Sequence, residues 1–204
     1  MKKRWVGNNW RLALLMLVLV LAGLAALQFV DSAGVLETLQ WQRVGIMSGA
    51  WWRVISGHVV HLNTTHAAMN VSAFILIMLL LGRASDAVGW VALWVGLSMA
   101  ISVSLLVFDP YLNFYAGASG VLHGLVSFGA LAQLSERRGE AVVLLIGLVL
   151  KLCWEHYYGA ASGTVVLIGA PVIVNAHLYG AMAGVVPGAF VAWRRRRDAR
   201  QIMR

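Results

Sequence analysis

The sequence predicts an all-α membrane protein, six transmembrane helices in a single domain with both termini on the cytoplasmic side. Three observations carry that reading. Of 204 residues, 60% are hydrophobic and 12% charged, with a mean hydropathy of +0.78, outside the range of a water-soluble globular domain. Six apolar runs lie between polar breaks, each close to the roughly 20 residues that cross a ~30 Å hydrocarbon layer. The basic residues collect at alternate helix ends.

The first run, residues 11–30, follows Met1-Lys2-Lys3-Arg4 and invites comparison with a secretory signal. Its 19 residues from Leu12 to Val30 exceed a signal core, and no clear small-x-small cleavage site follows, so we read it as a retained helix. Residues 31–65 form an external loop, and the further helices fall at about 66–82, 87–107, 117–135, 141–157 and 174–193. The apolar stretch 159–174, with Pro171, reads as a loop over the external end. The single cysteine, Cys153, excludes an intramolecular disulfide and offers no metal-binding pattern.

The net charge of +8 raises nucleic acid as a partner, but its distribution does not fit one. With a cytoplasmic N-terminus, thirteen Lys and Arg residues lie inside, including Arg83, Arg137, Arg138 and the Arg194 to Arg197 run. Only Arg43, Arg53 and Lys151 lie outside. That is the positive-inside pattern of a protein anchored against anionic lipid.

Polar side chains inside membrane helices cost free energy, so each requires a reason. His66, Asn70, Ser119 and His177 stand out. Ser119 lies 18 residues from Arg137, His177 lies 17 from Arg194, and His66 lies 17 from Arg83. At 1.5 Å of rise per residue all three sit roughly 26 Å above the cytoplasmic face. Asn70 is one turn deeper on the His66 face. Gly120 and Gly124 follow Ser119, and Gly180 and Gly184 follow His177. Small residues four apart let helices approach closely in lipid, so a parallel pair would bring Ser119 against His177.

A serine hydroxyl is a weak nucleophile until a base takes its proton, and histidine titrates in the right range to do so. Ser119, in Gly117-Ala118-Ser119-Gly120, opens a helix, where free N–H groups favour a developing oxyanion. His66 and Asn70 are further donors. No aspartate lies in the membrane interior to orient the base, since Asp31, Asp86, Asp109 and Asp198 fall near helix ends. A Ser-His dyad remains. His123, one turn beyond Ser119 on the same face, is a second candidate base.

These residues carry a family resemblance. Trp52-Arg53, His61-x4-His66-x3-Asn70, Gly117-Ala118-Ser119-Gly120 and Ala176-His177-x2-Gly180-x3-Gly184 match in order the pattern of rhomboid intramembrane serine proteases. The resemblance covers nearly the whole chain. It implies a rhomboid-type bundle, a Ser119–His177 catalytic dyad, and an oxyanion hole of His66, Asn70 and the Ser119 N–H. It also implies a supporting role for His61, with Gly117 in the turn before the nucleophile. No cofactor or metal is implied.

More finely, His61-Leu62-Asn63, Gly120-Val121-Leu122-His123-Gly124 and Lys151-x2-Trp154-Glu155 are similar to the rhombosortases, a bacterial branch of that family. This implies membrane-anchored substrates with a C-terminal tail of a Gly-Gly motif, one membrane helix and a basic cluster. It further implies a multi-pass protein of the bacterial inner membrane that cuts near the periplasmic face. Two positions depart from the wider family. His123 stands where many rhomboids carry an aromatic residue, and Gly49-Ala50 stands where an acidic residue often precedes Trp-Arg.

The other polar residues read as structural. Lys151 and Glu155 are four apart and pair on their own helix or snorkel to the interface, while their place in the motif above leaves substrate recognition open. Trp51, Trp52, Trp90, Trp94, Trp154, Tyr157 and Tyr158 suit an aromatic belt, and His58 and His156 the interface. No histidine is followed by glutamate, as the HExxH metalloprotease pattern requires. An aspartyl intramembrane protease needs two carboxylates at depth, and none is available. An inactive scaffold or a transporter of the same architecture is the remaining alternative.

Overall fold

The computed structural model describes Leu15 and residues 32–202. Apart from Leu15, the first predicted helix, 11–30, lies outside the described residues. Beyond residue 31 the chain is not the plain loop that the apolar pattern predicts. It carries α1 (Ser32–Leu39), β1 (Trp41–Gln42), α2 (Arg43–Met47) and α3 (Arg53–Ser56). Then come α4 (Thr64–Leu81), which runs into a 3₁₀ turn at Gly82–Ala84, and α5 (Ala87–Phe108), β2 (Phe114–Tyr115) and α6 (Ser119–Ala132). The remainder is α7 (Arg138–Tyr158), α8 (Ser162–Ile168) and α9 (Val174–Ile202).

Two of the helix starts follow capping chemistry. Asn63 Oδ1 accepts from the His66 N–H at 2.8 Å, and Asp86 Oδ1 accepts from the Gly89 N–H at 2.8 Å, each satisfying a donor that the first turn leaves open. Four helices among the described residues are long and apolar enough to cross a membrane: Thr64–Ala84, Ala87–Phe108, Arg138–Tyr158 and Val174–Gln201. Their outward faces expose Leu76, Leu79, Val103, Val107, Val149, Leu150 and Val186. Helices apolar on both faces suit lipid on one side and protein on the other.

α6 departs from the predicted 117–135, being 14 residues long. It is the central helix, packed by α4, α5, α7 and α9. The irregular turn before it is largely buried, while beyond Ala132 the chain emerges at the exposed, polar Ser135-Glu136-Arg137, so the helix stops short of that surface. The count from Ser119 down to Arg137 therefore does not run along one helix. Ser119 meets its partner because α6 lies directly on α9, not because two full spans match in height.

That contact is backbone on backbone. A Cβ on Gly120 would lie 2.8 Å from the Ala176 carbonyl oxygen, and one on Gly124 2.7 Å from that of Gly180. In return, Cβ atoms on Gly180 and Gly184 would collide with the carbonyl oxygens of Gly120 and Gly124. Ser127 Oγ donates to the Ala181 carbonyl at 2.7 Å across the same seam. The two GxxxG pairs thus interlock as a parallel seam. Edge-to-face pairs, Phe74 with Trp94 at 5.8 Å and Trp90 with Phe128 at 5.4 Å, fill the core beside it.

The external segment is tied to this core by carbonyl capture. Arg43 donates to the carbonyls of Leu105 and Leu106 in the last turn of α5 and to those of Asp109 and Leu112 just beyond it. Arg53 donates to the Gln40 carbonyl at 2.9 Å, and Trp52 Nε1 to that of Thr38 at 3.2 Å. Gly49-Ala50 therefore leaves the Trp-Arg pair anchored, through backbone rather than a carboxylate. β1 pairs antiparallel with β2, Trp41 opposite Tyr115, which joins the external segment to the strand just before α6.

Candidate active site

The turn into α6 is held from three directions. Gly117 has φ +130°, a conformation open to glycine, and a Cβ there would lie 2.6 Å from His66 Cε1. Its N–H donates to the Gly57 carbonyl at 2.9 Å, and its carbonyl accepts from the Tyr115 hydroxyl at 2.7 Å. Burial pushes that phenol up to about 12, so it stays a neutral donor. Tyr115 and Gly57 were not legible as site supports from sequence, because their partners are backbone atoms distant along the chain.

Ser119 opens α6, so its N–H has no acceptor within the helix. His177 lies one turn into α9, 4% exposed, with Nε2 2.8 Å from Ser119 Oγ. The two residues singled out by depth are thus in hydrogen-bond contact. His123 is turned otherwise: its Nδ1 lies 2.7 Å from the Ser119 carbonyl oxygen, and its ring stacks on that of His177 at 4.2 Å and 12°. It occupies the place of an aromatic plate against the histidine, with one nitrogen engaged by backbone.

The other ring nitrogen of His177, Nδ1, lies 2.8 Å from Glu155 Oε2. Glu155 Oε1 in turn accepts from Lys151 Nζ. The Lys151–Glu155 pair expected on one helix is present, and the glutamate also reaches across to α9. A Ser-His dyad with no acid near the base is therefore not what the structure contains. A search confined to aspartates misses Glu155, and an i,i+4 lysine already accounts for it.

His66 and Asn70 line the same cavity as Ser119 and His177. His66 Nδ1 and Asn70 Nδ2 are buried without a hydrogen-bond partner among the described residues. A buried amide donor normally has an acceptor, so an unpaired one at a cavity wall is a group held ready for a ligand. His61 packs edge-on against His66 at 5.0 Å. It is pushed down to about 4, chiefly by burial and then by its histidine neighbour, so it remains neutral behind His66.

The cavity holds about 1010 Å³ and is mostly apolar. Met69 and Ala73 of α4 form one wall, Leu144 and Leu148 of α7 the other, with Val126 of α6 behind. α8, where the sequence predicts only loop, covers the external end, and Asn63 Nδ2 holds the Leu167 carbonyl at 3.1 Å. His123, Glu155 and His177 place ligand-type atoms within 4.8 Å of one another. One ring nitrogen of each histidine is already engaged, His123 Nδ1 by the Ser119 carbonyl and His177 Nδ1 by Glu155.

A nucleophile against a base, unpaired donors and a wide apolar cleft are the parts of an acyl-transfer site. Comparison with known proteins gives the family. Residues 48–194 match the Rhomboid domain family. YdcA of Bacillus subtilis (strain 168) is 26% identical over 106 residues, 52% of this chain and 52% of YdcA. Rhomboid protease GluP of the same organism is 28% identical over 93 residues, 46% of this chain and 18% of GluP. The aligned stretch thus spans about half of one curated relative and under a fifth of the other. With its apolar helices and a family match over most of its length, the chain is a membrane protein and belongs to the rhomboid family.

Proposed function

We propose that this chain is an intramembrane serine endopeptidase of the rhombosortase type, a multi-pass protein of the bacterial inner membrane with both termini cytoplasmic. The observation that carries the reading is the 2.8 Å contact between Ser119 Oγ and His177 Nε2 at a cavity open between α4 and α7. A substrate helix enters from the lipid between those helices and unwinds near the external face. Ser119 attacks the scissile carbonyl and passes its proton to His177 Nε2. The oxyanion is held by the Ser119 N–H, Asn70 and His66. His177 then protonates the leaving amine, and water admitted from the external side hydrolyses the acyl-enzyme.

The substrate class rests on the His61-Leu62-Asn63, Gly120-to-Gly124 and Lys151-x2-Trp154-Glu155 motifs. Its test is co-expression with two reporters, one bearing a Gly-Gly, helix and basic-cluster tail and one an ordinary single-span anchor. Cleavage of the tail reporter by wild type and not by Ser119→Ala is expected. Cleavage of the ordinary reporter alone would replace the substrate class with that of a general rhomboid protease. Cleavage of neither would favour an inactive scaffold.

A further inference from the structure

The geometry points to Glu155 as a positioning residue that makes the site a relay of four side chains, Lys151–Glu155–His177–Ser119, rather than a two-residue dyad. The inference deepens the protease reading and rests on it. Its basis is a continuous series of contacts across three helices: Glu155 Oε1 to Lys151 Nζ at 2.5 Å, Glu155 Oε2 to His177 Nδ1 at 2.8 Å, and His177 Nε2 to Ser119 Oγ at 2.8 Å.

An ionised carboxylate only accepts hydrogen bonds, so the proton between Glu155 and His177 belongs to Nδ1. A neutral imidazole carries one N–H, so Nε2 then bears the lone pair and faces the serine hydroxyl. That is the tautomer a general base requires. As the proton leaves Ser119, the imidazolium that forms lies between Glu155 and the nucleophile, where the carboxylate stabilises its charge.

The surroundings of His177 leave this task to Glu155. Among the described residues, the other titratable groups near it are His123 beside it on α6, His66 on α4 and Lys151 on α7. None of these is an anion. Glu155 is 8% exposed, and a carboxylate so nearly buried is retained at a desolvation cost unless it is paired. Lys151, with its side chain half exposed, reaches from the interface to one oxygen and leaves the other for His177. A lysine pair made only to hold α7 has no need of the second contact.

The test uses the full chain in detergent and a fluorophosphonate probe. Ser119 Oγ forms a bond to phosphorus, fluoride leaves, and the serine proton passes to His177 Nε2. The labelling rate therefore reports base-assisted nucleophilicity without needing the natural substrate. The variants are Glu155→Gln, whose one amide oxygen serves either Lys151 or Nδ1–H but not both, and Glu155→Leu, which accepts from neither. The labelling rate should fall in both variants, with the leucine variant slower by about 10²-fold or more, within the contribution of a positioned base. The ¹⁵N shifts of His177 should show Nδ1–H in wild type and a mixture of tautomers in Glu155→Leu.

A leucine variant that labels at the wild-type rate would overturn the inference. A slowed variant with unchanged His177 shifts and a lowered melting temperature would overturn it too, since the pair would then act through fold alone. If wild type itself left Ser119 unlabelled, the protease reading would fail, which is a different outcome from normal labelling in all three proteins.

Discussion

Substituting Gly120 by alanine tests whether the glycine seam sets the catalytic distance. The new Cβ would stand 2.8 Å from the Ala176 carbonyl oxygen, where ordinary contact begins at 3.4 Å. Backbone is on the other side, so the helices themselves must part by about 0.6 Å, the difference between those distances. Ser119 and Ala176 are the neighbours in sequence of Gly120 and His177, so the opening falls on the 2.8 Å hydrogen bond and stretches it past the ~3.2 Å limit of a good one. A misplacement of 1 Å costs on the order of 10²-fold in rate, so this one should cost roughly tenfold. Overpacking should add about 1–3 kcal/mol of destabilisation. The assay is fluorophosphonate labelling of Ser119 with thermal unfolding in parallel. Gly96→Ala on α5, where a Cβ meets nothing within 4 Å, is the control and should match wild type. Labelling of Gly120→Ala at the wild-type rate would refute the claim that backbone contact between α6 and α9 sets the site.

Three other perturbations have definite expected outcomes. Asn70→Ala removes a buried, unpartnered donor at the cavity wall, so kcat should fall about 10²–10³-fold with little change in KM, as measured by reporter cleavage. Asp109 accepts from Asn175 Nδ2 and from the Tyr179 hydroxyl, residues on either side of His177. Asp109→Ala should cost about 1 kcal/mol in unfolding and slow labelling a few-fold by loosening the first turn of α9. Burial pushes His58 down to about 3. As pH falls below 6.5 the unfolded chain takes up this proton before the folded one, so stability present above 6.5 is lost toward pH 3. The loss is about 1.4 kcal/mol per pH unit. His61, held at about 4, contributes in the same direction. His58→Gln should therefore flatten the fall in melting temperature between pH 6.5 and 5 by roughly half.

What could be read along the chain was whatever local chemistry marks. α5 was placed within a residue because an apolar run is bounded by Asp86, which caps it, and Asp109, which follows it. The approach of Ser119 to His177 was foreseen from the two glycine pairs, since backbone contact in lipid needs small residues at that spacing. The length of α6 was not legible. Hydropathy reports an apolar environment and not helix itself: Ala116-Gly117-Ala118 is apolar and largely buried without being helical, and the turn 133–137 follows Ala132 directly. The Trp41–Tyr115 pairing has no periodic signal, as strands of two residues carry none. Glu155 illustrates a different loss: its nearest neighbour in sequence space, Lys151, fully accounts for it, and its contact with His177 exists only after α7 and α9 have packed.

The central claim is that Ser119, activated by His177, cuts a membrane-anchored protein. It is tested most directly by purifying the chain, reconstituting it in liposomes with the Gly-Gly tail reporter, and identifying products by mass spectrometry. The account predicts a new C-terminus near the external end of the reporter helix with wild type, and intact reporter with Ser119→Ala and with His177→Ala. The same product from Ser119→Ala would contradict it.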